Sequence, residues 1–356
     1  MSKETNTEGS RIAVERKFAI VMVVCALIIS VGSCTLLQPE AEQEDPVSEE
    51  TFLLGTLVRI TVHEAEPGTD IEESIDRTLD EMERLGAQVS VYDETSDISR
   101  VNDRPGEPVE VSDETMHLLE TALQMNEKTG GAFDPTIGPL VDLWGFYTQE
   151  YYIPGEEEIA QALERVDVSS VQIDSEDNTV LIPEGVQLDL EALAKGLAAQ
   201  RAESTLREHG VTRALISAGQ SSVHTVGDGP GDRAWRVGLI HPRKSNELYG
   251  VVEARDGEAI STSGDYQRYF MDEDKRYPHI IDPRTGIPGG HTIKTMTVVT
   301  DDSVVADAMS TSLFLFEPEK ALQWVNDREG VEAVLMTAEG NVMYTPGLEE
   351  RLEIKD

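Results

Sequence analysis

Four short segments carry residue types whose spacing suits phosphate and metal chemistry. In Gly130-Gly131-Ala132-Phe133-Asp134-Pro135-Thr136-Ile137-Gly138-Pro139-Leu140 a double glycine, an aromatic residue and an Asp-Pro turn open a helix start. Backbone that approaches closely at a helix N-terminus suits a phosphate or a carbonyl, and a plain turn with a cap is the other reading. In Leu188-Asp189-Leu190-Glu191-Ala192-Leu193-Ala194-Lys195-Gly196, Asp189 stands at a strand-to-helix junction with Lys195 six residues on. Lys195 then points towards an anion held at that helix end, and Asp189 either caps the helix or binds a hydroxyl or ring nitrogen. In Val305-Ala306-Asp307-Ala308-Met309-Ser310-Thr311, Asp307 and Thr311 share a helix face among small residues. A carboxylate and a hydroxyl there suit a hard cation such as Mg²⁺, which keeps waters or substrate phosphates in its shell, or form an ordinary surface pair. Finally, Tyr277-Pro278-His279-Ile280-Ile281-Asp282-Pro283-Arg284-Thr285-Gly286 places His279 before an apolar pair and a tight turn. His279 is a candidate base, or a structural histidine.

Such residues need a scaffold, and 356 residues with 39% apolar content can build one large core. The formal net charge of -39 removes the basic footprint that nucleic acid requires, so no nucleic-acid partner is expected. The two cysteines, Cys25 and Cys34, lie in the first tenth of the chain, which leaves the folded part without a disulfide or a thiolate metal site.

The N-terminus reads as an address. Arg11, Arg16 and Lys17 precede the uncharged apolar run Phe18 to Val31, too short to span a bilayer comfortably, where about 20 residues are needed. Val31-Gly32-Ser33-Cys34 follows and resembles a bacterial lipobox, which implies lipidation of Cys34 and a membrane anchor; an uncleaved signal anchor is the alternative. Either way the body is expected outside the cytoplasm. The expected organisation is a signal peptide over 1–33, an acidic flexible tether over 34–50, one catalytic domain over 51–350 and a tail over 351–356.

Within the body, FLLGTLVRITVH (52–63) predicts a strand, and Ile71, Ile75, Leu79 and Met82 recur at helical spacing. Helices are predicted from about Asp113 to Thr129, with Ser112 as N-cap and Gly130-Gly131 as stop, and over 136–143, 156–166, 189–209 and 305–316. VQIDSEDNTVLI (171–182) and VEAVLMTAEGNVMYT (331–345) predict hairpins. ALISAG, WRVGLI, YGVVEA, AISTSG and IKTMTVVT predict strands of one shared sheet. No repeat or internal linker divides residues 51–350, so the fold class is α+β, a single domain with a mixed sheet and packed helices.

Taken together and in this order, the segments resemble the ApbE family of FAD:protein FMN transferases over roughly residues 52 to 345. The family's GGAFDPTxGPL is intact, DLGAIAKG appears as DLEALAKG, ADALST as ADAMST, and YPHIIDPRTG supplies His279. Near the start, Leu54-Gly55-Thr56 and the run from Ser90 to Asn102 match two further motifs. The resemblance implies a T-fold-related domain in which Leu54, Tyr92, Ala132, Phe133, Asp134, Asp189, Lys195 and His279 contact FAD. It further implies that the carbonyl of Ala192 with Asp307 and Thr311 holds Mg²⁺. Ser217-Ala218-Gly219-Gln220-Ser221-Ser222 departs from the family's NxGGD-like stretch, lacking its second glycine and acidic residue, so that loop's contacts are not carried over.

The activity implied is attack by a Ser or Thr hydroxyl of an acceptor flavoprotein on the FMN-side phosphorus of FAD, with AMP leaving. Positioning and charge neutralisation dominate such a step. Lys195, Arg100 and Arg284 are the candidate cations, and His279 the candidate base. An FAD pyrophosphatase and a non-catalytic flavin-binding lipoprotein are the alternatives. Acceptors implied by the family are redox-pump subunits or exported flavoproteins bearing an Asp-Gly-x-Ser/Thr-x-Ser/Thr motif, of which this chain has no convincing copy.

Overall fold

The computed structural model describes residues 45–355 apart from 232 and 245. The signal segment, Cys34 and most of the tether lie outside the described residues. Residues Pro46–Asp356 make one compact unit.

An eight-stranded sheet organises it. From one edge to the other run Val47–Leu53, Thr56–Ala65, Val211–Ala218, Ser222–Val226, Ala259–Gly264, Ile293–Thr300, Glu332–Thr337 and Val342–Tyr344. The α+β class holds, but the sheet expected to be mixed is antiparallel at every pairing. The longest connection, from 66 to 210, brings the chain back to the end at which it left: Glu66 N–H donates to the Gly210 carbonyl at 2.8 Å. A hairpin does the same, and parallel neighbours would need a crossover to the far end.

Four other expectations change. The segment read as one strand is a hairpin turning at Leu54-Gly55, where φ is 53° and 67°. Both values suit the mirror-image turn that matches strand twist, but Leu-Gly lacks the Asn-Gly signal that announces such turns. The first strand begins at Val47, inside the stretch assigned to the tether, because its pairing with the next strand satisfies an acidic backbone that has little to bury. The supposed tail supplies the strand Leu352–Ile354, which joins Trp235–Ile240 and Leu248–Ala254 in a separate three-stranded sheet. WRVGLI and YGVVEA therefore leave the shared sheet and cover one of its faces, with Trp235, Tyr249 and Val252 packed against Ile260, Val299 and Met336.

Helices cover the opposite face. Ile71–Val89, capped by Asp70, and Glu191–Glu208 pack Ile75, Met82, Ala198, Ala202 and Leu206 onto Val58, Ile60, Val62 and Ile216. Ile60 and Ile216 are cross-strand partners and fully buried, each contributing roughly 1.5–3 kcal/mol. Asp113–Thr129, with Ser112 as its N-cap and Gly130 in the left-handed region at its C-cap, and Ser303–Leu313 complete this layer. No helix among the described residues is long and apolar enough to cross a membrane.

Candidate active site

Hydrogen bonds from backbone and side chains join these segments and assemble the site. Asp189 N–H donates to the Pro135 carbonyl at 2.8 Å, which ties the double-glycine segment to the start of the Glu191–Glu208 helix. Asn102, the last residue of the 90–102 motif, clamps Leu188 with both ends of its amide: Nδ2 donates to the Leu188 carbonyl at 2.9 Å and Oδ1 accepts from Leu188 N–H at 2.7 Å. Val91 N–H donates to Glu191 at 3.2 Å. Trp144 Nε1–H donates to the Gly286 carbonyl at 2.9 Å, drawing the Asp-Pro-Arg-Thr-Gly turn alongside.

The result is one cavity of about 1350 Å³. Drug-sized sites occupy roughly 300–1,000 Å³, so a dinucleotide has room here. Leu54, Tyr92, Ala132, Phe133, Asp134, Asp189, Ala192, Lys195, His279, Asp307 and Thr311 all line it. Leu54 enters at the hairpin tip, held at positive φ against Gly86, where an added Cβ would lie 2.2 Å from Leu54 Cδ2. A leucine in the left-handed region costs about 1–2 kcal/mol, strain of the kind that collects at ligand sites.

Asp307 sits at the far wall, 3% exposed. Its Oδ2 accepts from Gly196 N–H at 2.7 Å, and its Oδ1 accepts from the hydroxyls of Ser222, at 3.0 Å, and Ser261. Burial pushes its pKa up, opposed by the Lys195 charge and by these donors. The Gly196 bond ties the helix turn that starts at Ala192 to the Asp307 carboxylate. Thr311 stands one turn beyond Asp307, its hydroxyl 3.3 Å from that of Ser263. Among the described residues no cluster of three His, Cys, Asp or Glu side chains exists to hold a metal. One carboxylate, one hydroxyl and one carbonyl make an all-oxygen, ligand-poor set, which fits Mg²⁺ completed by water and phosphate and does not fit zinc.

Close helix packing makes this arrangement possible. A Cβ at position 196 would meet the Ser303 carbonyl oxygen at 2.4 Å and Val304 Cα at 2.9 Å. Gly196→Ala must therefore prise the Glu191–Glu208 and Ser303–Leu313 helices apart. A loss of about 1–3 kcal/mol in denaturant unfolding is expected, and an unchanged midpoint would contradict this packing.

Asp134 is held by Thr136, whose N–H donates at 2.8 Å and hydroxyl at 2.6 Å, and by Asn126 at 3.1 Å; burial raises its pKa. Asp189 is not the N-cap, a position held by Leu190; one of its oxygens accepts Glu191 N–H at 2.8 Å in a local turn just ahead of the helix, while its other oxygen accepts the Tyr147 hydroxyl at 2.6 Å. Burial raises the pKa of Asp189 too.

His279 is half-buried, with Nδ1 3.0 Å from the Arg268 carbonyl. A carbonyl accepts only, so Nδ1 carries the hydrogen and Nε2 keeps its lone pair. Burial and then the Arg268 charge lower its pKa to about 4. Its folded pKa lies below the unfolded value, so the stability tied to its neutral form is complete above about pH 6.5 and is lost as pH falls towards 4. Between pH 7 and pH 5 the wild type should lose on the order of 1 kcal/mol more than His279→Ala in matched melts. Equal losses would mean that His279 is not held neutral.

Two cations assigned from sequence fall away. Arg100 pairs with Asp97 and Arg284 with Asp282 at 2.8 Å, and neither lines the cavity. Sequence reasoning missed Tyr147, Ser222, Ser261 and Arg268. Ser222 belongs to the loop that departs from the family pattern, and it reaches Asp307 all the same. The aromatic and basic run Tyr266-Gln267-Arg268-Tyr269-Phe270 was the available signal for Arg268.

The ApbE family profile matches residues 54–335. The chain belongs to the ApbE family. It is 31% identical over 341 residues to the FAD:protein FMN transferase of Escherichia coli K12, covering 93% of this chain and 95% of that one. Against the FAD:protein FMN transferase of Treponema pallidum it is 28% identical, over 94% and 95%. Among solved structures, the ApbE protein of Thermotoga maritima superposes with a TM-score of 0.81 at 31% identity, covering 86% of this chain and 99% of that one. The apo flavinyl transferase ApbE of Pseudomonas stutzeri gives 0.75 at 28% identity, over 86% and 96%. The ApbE fold is therefore that of the whole domain, and Leu54, Tyr92, Ala132, Phe133, Asp134, Asp189, Ala192, Lys195, His279, Asp307 and Thr311 lie in its cavity.

Proposed function

We propose that this chain is a Mg²⁺-dependent FAD:protein FMN transferase, which splits FAD and joins FMN through a phosphoester to a Ser or Thr of an acceptor flavoprotein. The observation that carries this reading is the meeting of Asp307, Thr311, Ala192, Lys195 and His279 in one cavity large enough for a dinucleotide. The curated relatives bear the same activity in their names.

Bound between Ala192, Asp307 and Thr311, Mg²⁺ would neutralise phosphate charge and favour AMP as a leaving group. The chain's own residues do the rest. Lys195 makes no ion pair within 4 Å among the described residues, although its charge reaches Asp307 and Glu191, and a cation there matters on a chain at -39 that must admit an anionic substrate. His279 Nε2 takes the proton of the attacking hydroxyl, and the Arg268 carbonyl keeps the imidazole in the tautomer that permits it. Asp189 and Tyr147 hold the wall beside them, and apolar Leu54 and Phe133 offer surface to ring systems.

Incubation of the full chain with FAD, Mg²⁺ and an acceptor bearing the Asp-Gly-x-Ser/Thr-x-Ser/Thr motif should add the mass of one FMN to the acceptor. Free FMN and AMP with an unmodified acceptor would make the chain a pyrophosphatase, and FAD binding without AMP release would make it a carrier. We also propose an extracytoplasmic body anchored through diacylated Cys34. A chain that still partitions into membranes after Cys34→Ala is held by an uncleaved signal anchor instead.

A further inference from the structure

Acidic residues outnumber basic ones 68 to 29 in this chain, so a cation near the surface readily finds a carboxylate. Arg59, Arg77, Arg84, Arg207, Arg243 and Arg351 all have one. Among the described residues the cavity holds two cations that form no ion pair within 4 Å, Lys195 and Arg268, whose charges are felt only at a distance by Asp307, Glu191 and Asp189. The segment Gly264–Arg268, which brings Arg268 in, enters none of the family motifs read from the sequence.

Arg268 is half-buried at the cavity wall. Its Nη2 donates to the Phe146 carbonyl and lies 3.5 Å from the Tyr92 hydroxyl. Nε and Nη1 make no hydrogen bond among the described residues. A guanidinium has five N–H donors arranged to meet two oxygens at once, and leaving several idle in a half-buried place costs stability unless a ligand takes them up. Its charge is also felt at the motif carboxylate Asp189 and at the candidate base His279, whose Nδ1 meets the Arg268 carbonyl. Such a fork matches carboxylate and phosphate, and the dinucleotide of the proposed reaction brings phosphate.

Resting on the transferase reading, we infer that Arg268 is a second phosphate-binding cation of this site, which with Lys195 grips the FAD pyrophosphate and stabilises charge on departing AMP. The acceptor hydroxyl oxygen bonds to the FMN-side phosphorus while the bond from that phosphorus to the bridging oxygen breaks. Its electron pair leaves with AMP, and the hydroxyl proton passes to His279 Nε2. Negative charge thus builds on the AMP phosphate as the bond breaks, which is where a guanidinium has most effect.

The test compares wild type, Arg268→Gln and Arg268→Ala. FAD and riboflavin affinities are read from flavin fluorescence, and AMP release is followed with Mg²⁺ and acceptor. Changing the side chain leaves the backbone carbonyl that orients His279 in place. Arg268→Gln should bind FAD about tenfold more weakly, bind riboflavin, which has no phosphate, as wild type does, and release AMP about 10²-fold more slowly. Millimolar guanidinium should restore part of the rate to Arg268→Ala and nothing to wild type. Equal weakening of FAD and riboflavin without rescue would overturn the inference and make Arg268 a latch between Phe146 and Tyr92. A rate within twofold of wild type would overturn it as well. Should wild type bind FAD and release no AMP, the transferase reading itself fails, and the catalytic half of this inference falls with it.

Discussion

Asp307→Asn should abolish Mg²⁺-dependent AMP release, with a loss of about 10³-fold or more, while the protein stays folded. The substitution is nearly isosteric, and the site's hydrogen bonds explain why it is tolerated. The amide oxygen takes over acceptance from Gly196 N–H, and the amide nitrogen faces the hydroxyls of Ser222 and Ser261, which turn to accept. What disappears is the one carboxylate of a donor set that otherwise holds only a carbonyl and a hydroxyl. A hard divalent cation depends on that charge, so titration with Mn²⁺ as a spectroscopic stand-in should show weaker metal binding in parallel with the lost rate. A variant with wild-type Mn²⁺ affinity and wild-type turnover would remove Asp307 from the metal site. Removal of Mg²⁺ from wild type by chelation should give a loss of similar size.

His279→Ala is expected to lower kcat by about 10²–10⁴-fold and to leave FAD affinity near wild type. A general base acts on the proton in flight and contributes little to ground-state binding, so the effect belongs in kcat and not in KM. With a pKa near 4 in the free protein, His279 is neutral across ordinary working pH, and the rate should show no inflection near pH 6.5 that depends on it. Single-turnover AMP release at saturating FAD measures this directly. Full rate in the variant would assign proton transfer elsewhere and leave His279 a packing role against Phe146, whose ring centroid lies 6.5 Å away.

Much of this site was legible before any coordinates. The helix that presents Asp307 and Thr311 follows from their spacing of four among small residues, and its N-cap, Asp302, accepts Val305 N–H at 3.0 Å. Asp189 was readable at the start of its helix, where it takes the N–H of the first helical residue, Glu191, one position ahead of the N-cap. The hairpin at Leu54-Gly55 was not legible, because the turn depends on a leucine accepting a left-handed conformation, which only its packing against Gly86 makes worthwhile. The second sheet was equally hidden: Trp235–Ile240 and Leu248–Ala254 alternate just as strands of the large sheet do, and alternation reports a buried face without naming the neighbour.

By itself, then, the sequence determined the family, the α+β class and the residues whose chemistry matters, since motif spacing, caps and periodicity are local properties of the chain. The tertiary structure decided which charges are spent. Arg100 and Arg284 lie close to motif residues in sequence, but each is neutralised by a carboxylate three or two positions away. Arg268, in no motif, is left facing the cavity. Whether a cation is paired depends on what lies within about 4 Å of it, and on a chain this acidic the fold alone settles that. Gly196 is the other case, for only the fold shows that a side chain there would collide with the Ser303 carbonyl and that its amide reaches Asp307.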